Sequence, residues 1–224
     1  NKITKLTTSD SADYTGVATG GITGGVGNTI ERFMVGYPVN AFYVYEQVYD
    51  TYGKPIQGAY VDRNNDGKVD ASDMYCYKKS APDYTFGFNT TLEWKDWTLA
   101  ASAHANLGNF VYDNMSSQYG LMSDLWTNNW VSNRMTNATD AFFTTAQYFS
   151  DYYIHNASFL KLDNVTLSYL VKPCKAYSCT VYGTVQNVLC ITNYKGIDPE
   201  IYNGIDNNMY PRPRTFILGV KLNF

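Results

Sequence analysis

The sequence predicts an all-β fold, an antiparallel transmembrane β-barrel portion with long extracellular loops. Three observations predict it: apolar residues recur at every second position, tight connections alternate with long ones, and no apolar run reaches the length of a membrane helix. Of 224 residues, 45% are hydrophobic and 17% charged, which is the range of a folded chain. Barrel strands confine their apolarity to alternate residues, so their average composition looks soluble. The net charge of −3, with no basic run, argues against nucleic acid as a partner. The absence of a long apolar run also predicts no signal peptide at Asn1.

The clearest alternation closes the chain. Phe216, Leu218, Val220, Leu222 and Phe224 take turns with Thr215, Ile217, Gly219, Lys221 and Asn223. A strand puts the first five on one face, whereas a helix would scatter them around its axis. The same alternation places Phe86, Phe88, Leu92 and Trp94 opposite Gly87, Asn89, Thr91 and Glu93. It continues after Lys95-Asp96 with Trp97, Leu99, Ala101, Ala103, Ala105 and Leu107. This is a hairpin, although Lys-Asp carries no glycine for a primed turn. Further on, Val165, Leu167, Tyr169 and Val171 oppose Thr166 and Ser168. A connection containing Pro173 leads to Cys179, Val181, Gly183 and Val185 opposing Thr180, Tyr182, Thr184 and Gln186.

At the other end of these strands the connections are long, over 50–83, 108–156 and 189–213. Compact soluble domains seldom carry loops of that length, while outer-membrane barrels pair them with short turns as a rule. Tyr84, Trp94, Trp97 and Phe224 near strand ends suit an interfacial aromatic girdle. A strand is also expected over 41–49, where both faces are partly apolar. Residues 1–6 read as a strand end, and the Gly/Thr/Ser-rich stretch 15–27 as a loop without core. The alternative to the barrel is a soluble secreted β-rich binding module with a structural calcium loop.

Little in the sequence suggests catalysis. His104 and His155 lie far apart with no carboxylate or cysteine cluster beside them, and Cys76, Cys174, Cys179 and Cys190 lack zinc spacing. Cys174 and Cys179 are either a disulfide across a turn or small apolar filler. The sharpest motif is Asp62-Arg63-Asn64-Asn65-Asp66-Gly67-Lys68-Val69-Asp70-Ala71-Ser72-Asp73, which has calcium-loop spacing. Asp62, Asn64 and Asp66 would give side-chain oxygens, Lys68 its carbonyl, Asp70 a direct or water-mediated oxygen, and Asp73 the closing carboxylate. Aspartate stands at the last position where the longer glutamate is the usual residue, and a metal-free Asx-turn loop is the alternative. Trp126 and Trp130, in the longest loop, are candidates for stacking on a sugar ring, or for packing the loop itself.

Several blocks together resemble one family. In order they are Gly36-Tyr37-Pro38, Tyr60 through Val69, Lys79-Ser80-Ala81-Pro82-Asp83-Tyr84, Ala157-Ser158-Phe159-Leu160-Lys161-Leu162-Asp163-Asn164-Val165-Thr166-Leu167, Gln186-Asn187-Val188, Asp198-Pro199-Glu200, Gly204-Ile205-Asp206 and Tyr210-Pro211-Arg212-Pro213-Arg214. The chain is similar to the C-terminal portion of SusC/RagA-type TonB-linked outer-membrane proteins. That resemblance implies the last seven or so strands of a 22-stranded barrel, with the plug and the TonB-contacting region absent from residues 1–224. It implies import of oligosaccharides or peptides under a SusD-like surface lipoprotein, driven by TonB-ExbB-ExbD through the missing N-terminal part, without any bond of the cargo being broken. It also implies an outer-membrane location, with the loops around Asp62, Trp126 and Asp198 facing outward and Phe224 serving as an assembly signal.

Overall fold

The computed structural model describes residues 1–6, 16–24, 27–127, 129–172, 178–207 and 210–223. In chain order the strands are β1 (Val17–Gly21), β2 (Thr29–Phe33), β3 (Ala41–Val44), β4 (Gln47–Tyr49), β5 (Pro55–Tyr60), β6 (Tyr75–Lys79), β7 (Tyr84–Trp94) and β8 (Trp97–Leu107). They continue with β9 (Phe110–Asp113), β10 (Trp126–Thr127), β11 (Trp130–Val131), β12 (Ile154–Asn156), β13 (Phe159–Val171), β14 (Ser178–Thr192), β15 (Ile205–Asp206) and β16 (Thr215–Asn223). Two short helices, α1 (Asn114–Tyr119) and α2 (Asn137–Ala141), lie in the longest connection.

Five long strands form one antiparallel sheet in the order β16-β14-β13-β8-β7. Directly paired residues share a face, so the register sorts the side chains. Trp94, Trp97, Tyr169, Val181 and Val220 make one row across the sheet, and Leu92, Leu99, Leu167, Gly183 and Leu218 the next. Thr90, Ala101, Val165, Val185 and Phe216 make a third. The opposite face is mainly polar: Asn164 donates to Ser102 Oγ at 2.6 Å, and the Thr166 and Thr184 hydroxyls are 2.8 Å apart. The apolar face is uncovered. Phe216, Leu218, Val220 and Leu222 are 73%, 90%, 62% and 61% exposed, so no second sheet buries them as a soluble module would require. Hydrocarbon is the solvent that suits such a face.

Strand β13 is longer than the alternation predicts, because its apolar positions change parity. Leu160 and Leu162 are even, Val165 and Leu167 odd, and all four lie on the apolar face. The register shift between Leu162 and Asn164 inserts the extra residue that makes this possible. Asn187, opposite the shift, has φ 53°, the left-handed conformation asparagine tolerates better than most residues. Strand β14 likewise runs on to Thr192, so the last long connection starts at 193.

The connections are not structureless, and they hold the hydrophobic core. Strands β1, β2, β3 and β6 form one small sheet, β4 and β5 a hairpin, and β12, β9 and β15 a third unit. Ile22, Ile30, Phe42, Val44, Tyr112, Phe143, Tyr153 and Ile205 are buried together. Four expectations differ from the structure. The strand expected over 41–49 is two short ones, β3 and β4, which belong to this layer and not to the barrel sheet, and Ala41, Phe42 and Val44 are all buried, which is why neither face could be chosen from sequence. The stretch 15–27 contains β1 and the core residue Ile22, because its paired neighbour β2 supplies the partner groups a loop would lack. Five described strands, not seven or so, belong to the barrel sheet. Residues 1–6 form no strand, although Ile3 exchanges backbone hydrogen bonds with Gly36 and Tyr37 at 2.9 Å each.

Candidate functional site

On the polar face, where β13 approaches the long connections, charged residues converge in a sheet that otherwise carries few. Lys161 on β13 is 5% exposed. Its Nζ lies 2.7 Å from Glu200 Oε2 and 3.9 Å from Asp198 Oδ1. Arg212, just before β16, places Nε 2.5 Å from Asp198 Oδ2 and Nη1 3.0 Å from Glu200 Oε2. His104 on β8 lies beside Lys161 in the register, its Nδ1 2.8 Å from Asp163 Oδ2 at the bulge and its Nε2 3.3 Å from Glu200 Oε1. Burial pushes the Glu200 carboxyl up, but the Lys161 hydrogen bond and the positive charges of Lys161, Arg212 and His104 outweigh it and hold the group below the ordinary glutamate value. The network fastens the connection between β14 and β16 to the wall of the sheet.

Glycine fixes the far end of that connection. Gly204 has φ +71°, and a Cβ there would stand 2.3 Å from Ser80 Cβ. Its carbonyl accepts from Tyr112 N at 2.8 Å, and the next residues pair with β9 as β15. The segment held between Asp198 and Gly204 borders a cavity of about 520 Å³ whose lining includes Asn106, Asn109, Pro199, Glu200, Tyr202 and Arg212. Lys161, Asp198, Glu200 and Arg212 come from three of the sequence blocks that carry the family resemblance. Their meeting was not read from the sequence. The signal available was that isolated charges sat on the polar face of otherwise neutral strands.

The Asp62 loop is organised by its own backbone. Asp62 accepts from Gly67 N at 2.8 Å and Asp66 N at 3.3 Å, Asn64 from Asp66 N at 2.9 Å, and Asp66 from Lys68 N at 2.8 Å. Asp70 and Asp73 form a capping box around a short 3-10 turn at Ala71–Asp73. The Ser72 amide and hydroxyl hold the Asp70 carboxyl below its usual value. Hydrogen bonds from the amides of Asp70, Asn64 and Arg63 do the same at buried Asp73, with burial opposing them. Among the described residues no three histidine, cysteine or acidic side chains converge as a metal cluster. The donor chemistry still suits a hard cation, since each carboxylate offers about four lone-pair sites and even Asp73, accepting from three amides, keeps one.

Trp126 and Trp130 are exposed at 63% and 78%, but they do not form one platform. Trp126 pairs with Val131 and Thr127 with Trp130, so the two indoles leave opposite faces of the β10–β11 ribbon. Phe224 and Cys174 lie outside the described residues.

No family model matches the chain. Over its whole length, however, it is 43% identical across 233 aligned residues to the TonB-dependent receptor SusC of Bacteroides thetaiotaomicron. The chain belongs to the SusC/RagA-type TonB-dependent receptors. A second relative, the TonB-dependent receptor P26 of Formosa agariphila, is 28% identical over 192 residues, which are 74% of this chain and 19% of that protein. Two solved structures agree. The RagAB peptide importer in its closed-closed state matches with TM-score 0.64 and 26% identity, and the RagAB peptide transporter with TM-score 0.67 and 25% identity, each covering 89% of this chain and 24% of the other. The chain spans between about a fifth and a quarter of the length of these relatives, 23% in the case of SusC and 19% in that of P26. The five-stranded sheet is therefore a portion of the receptor's barrel wall, its apolar face toward lipid and its polar face, with the Lys161 cluster, toward the lumen.

Proposed function

We propose that this chain forms the C-terminal wall and outward loops of a TonB-dependent outer-membrane transporter that takes up oligosaccharides or peptides together with a SusD-like surface lipoprotein. The observation that carries the reading is the division of one sheet into an exposed apolar face and a polar face on which buried Lys161 is paired with Glu200 and Asp198. That division suits a wall between hydrocarbon and water. Energy would come from TonB-ExbB-ExbD through parts of the receptor outside this chain, and the cargo would pass with no bond made or broken. The RagAB importer, described as a peptide importer, and SusC supply the family context. The test is uptake of labelled oligosaccharides and peptides by cells expressing the full-length receptor, with and without functional TonB. TonB-dependent accumulation of either cargo is expected, and accumulation that ignores TonB would sink the reading.

We propose in addition that the Asp62 loop holds Ca²⁺ through Asp62, Asn64, Asp66, Asp70, Asp73 and the Lys68 carbonyl. The ion would stiffen an outward-facing loop and take no part in moving the cargo. Trp126 or Trp130 would offer a single stacking face to a ligand, not a paired one.

A further inference from the structure

The lower rim of the apolar face carries a cation that the wall itself does not use. Strands β7 and β8 meet in a tight turn at Lys95-Asp96, which closes on the paired residues Trp94 and Trp97. Short turns mark the periplasmic end of a barrel wall, and tryptophan and tyrosine rings gather there at the level of the lipid headgroups. Trp97 packs on Tyr169 of β13 with ring centres 4.7 Å apart. The Leu170 amide donates to the Asp96 carbonyl at 2.8 Å, so the turn and the end of β13 form one rim. Lys95 has φ 56°, a turn conformation that favours glycine or asparagine. Its ammonium lies 4.8 Å from the centre of the Trp94 ring, and Trp94 is 67% exposed.

The charges around Lys95 are committed elsewhere. Lys172, just past the end of β13, places Nζ 2.8 Å from Asp96 Oδ1. Glu93 pairs with Thr98 in the register and so belongs to the polar face, away from Trp94. Among the described residues Lys95 makes no ion pair. We infer that Lys95, together with Trp94 and Trp97, docks the headgroup of an anionic glycerophospholipid of the phosphatidylglycerol kind in the periplasmic leaflet. The ammonium donates to the phosphodiester oxygens, and the indole N–H groups to the ester carbonyls just below them. The acyl chains then run over the next row of the apolar face, Leu92, Leu99 and Leu167. Phosphatidylethanolamine fits less well, because its own ammonium competes with Lys95 for the phosphate and the nearest carboxylate, Asp96, is already held by Lys172. This inference goes beyond cargo import and depends only on which face of the sheet meets lipid.

The test is local photo-crosslinking. A benzophenone amino acid replaces Leu92 in the full-length receptor, which is reconstituted into phosphatidylethanolamine vesicles containing a minor share of phosphatidylglycerol with the same acyl chains. Mass spectrometry then gives the share of phosphatidylglycerol among the crosslinked lipids relative to its share of the bilayer. Lys95→Gln and Lys95→Arg are compared with the unsubstituted rim and with Lys78→Gln, a lysine that also lies over aromatic rings but in the outward layer. Circular dichroism shows that each variant keeps its barrel. One ammonium at an anionic headgroup is worth about fivefold, so phosphatidylglycerol should be enriched by about that factor at low salt. The enrichment should vanish in Lys95→Gln and remain in Lys95→Arg and Lys78→Gln. A share equal to that of the bilayer in the unsubstituted rim overturns the proposal, as does enrichment that survives Lys95→Gln or is lost in Lys95→Arg. Crosslinks to protein with none to lipid would overturn the assignment of the face, and the docking site with it.

Discussion

Lys161 and Glu200 are 39 positions apart in the chain and 2.7 Å apart in space. The first belongs to a wall strand and the second to the connection that crosses beside it. A lysine 5% exposed in the wall needs a counter-charge, because burial without one is far costlier than any gain from the surrounding packing. The connection meets that need, and the wall in return fixes where Arg212 stands.

Replacing Lys161 by Met should free the connection. Arg212 still faces Glu200 and Asp198 in that variant, so the loss should fall below the roughly 3–5 kcal/mol that follows when a buried charge is left with no partner. Hydrogen exchange on the full-length receptor should show faster amides between 194 and 212, with the rest of the barrel unchanged. Adding Glu200→Gln should recover part of the protection. Unaltered exchange in Lys161→Met would mean that the network does not hold the segment.

Val165 and Thr91 test the two faces. Val165 sits in the middle row of the apolar face, between Ala101 and Val185, and Thr91 on the polar face opposite Ala100. Val165→Arg should destabilise the inserted barrel by about 2–4 kcal/mol, the cost of arginine near the bilayer midplane, and Thr91→Arg by much less. Urea unfolding from lipid vesicles measures both. Equal effects would contradict the assignment of faces.

Glu31 should make the β1–β2 unit sensitive to pH. The side chain is 3% exposed with Oε1 unpartnered among the described residues, and burial pushes its pKa up to about 7 from 4.5. Its neighbour Arg32 lies over the Tyr43 ring, at 4.0 Å, and not against the carboxylate. A raised pKa means that the native state holds the proton more tightly than the unfolded chain. The stabilisation is therefore complete below the unfolded value of 4.5 and lost as pH rises through about 7. At 1.36 kcal/mol for each pKa unit the loss is about 3 kcal/mol. Glu31→Gln should flatten the dependence, read as exchange rates of β1 and β2 amides corrected for intrinsic pH effects. A slope surviving in Glu31→Gln would point to another group.

Gly204→Ala should be costly twice over, for the positive φ and for the contact with Ser80. Left-handed backbone costs a residue with a Cβ about 1–2 kcal/mol, and overpacking about 1–3 kcal/mol more. Ser80→Gly in the same molecule should return the second part only. A melting temperature equal to wild type in the single variant would show that the segment can shift aside.

The Asp62 loop gives a metal-removal test. Asp62→Ala with Asp66→Ala should abolish the calorimetric signal of Ca²⁺ binding and raise the exchange of amides 62–73, with the barrel still assembled. Calcium binding that persists undiminished in the double variant would place the ion elsewhere.

The barrel strands were legible because each faces two solvents. Where one side of a strand meets hydrocarbon and the other water, the alternation must appear in the residues themselves, as it does from Phe216 to Leu222 and from Phe86 to Trp94. The bulge at Asp163 was present too, as the change from Leu160 and Leu162 to Val165 and Leu167, but a search for unbroken alternation stops at such a break. The layer made by the connections was not legible. Phe42 and Val44 are buried by Ile22, Ile30 and Tyr112 from distant parts of the chain, so no local period marks them. The candidate site divided the same way. The Asp62 motif is contiguous and could be read directly. The cluster of His104, Lys161, Asp198, Glu200 and Arg212 exists only when the register of β8 and β13 and the return of the last connection bring it together.

By itself the sequence determined which strands form the wall and which side of each meets lipid, because transfer between water and hydrocarbon acts on every residue separately. Only the tertiary structure decided that the connections make a packed layer, that Trp126 and Trp130 point apart, and that Lys161 and Arg212 meet Asp198 and Glu200. Those outcomes depend on distances between residues far apart in the chain, and electrostatic pairing and close packing are set by such distances.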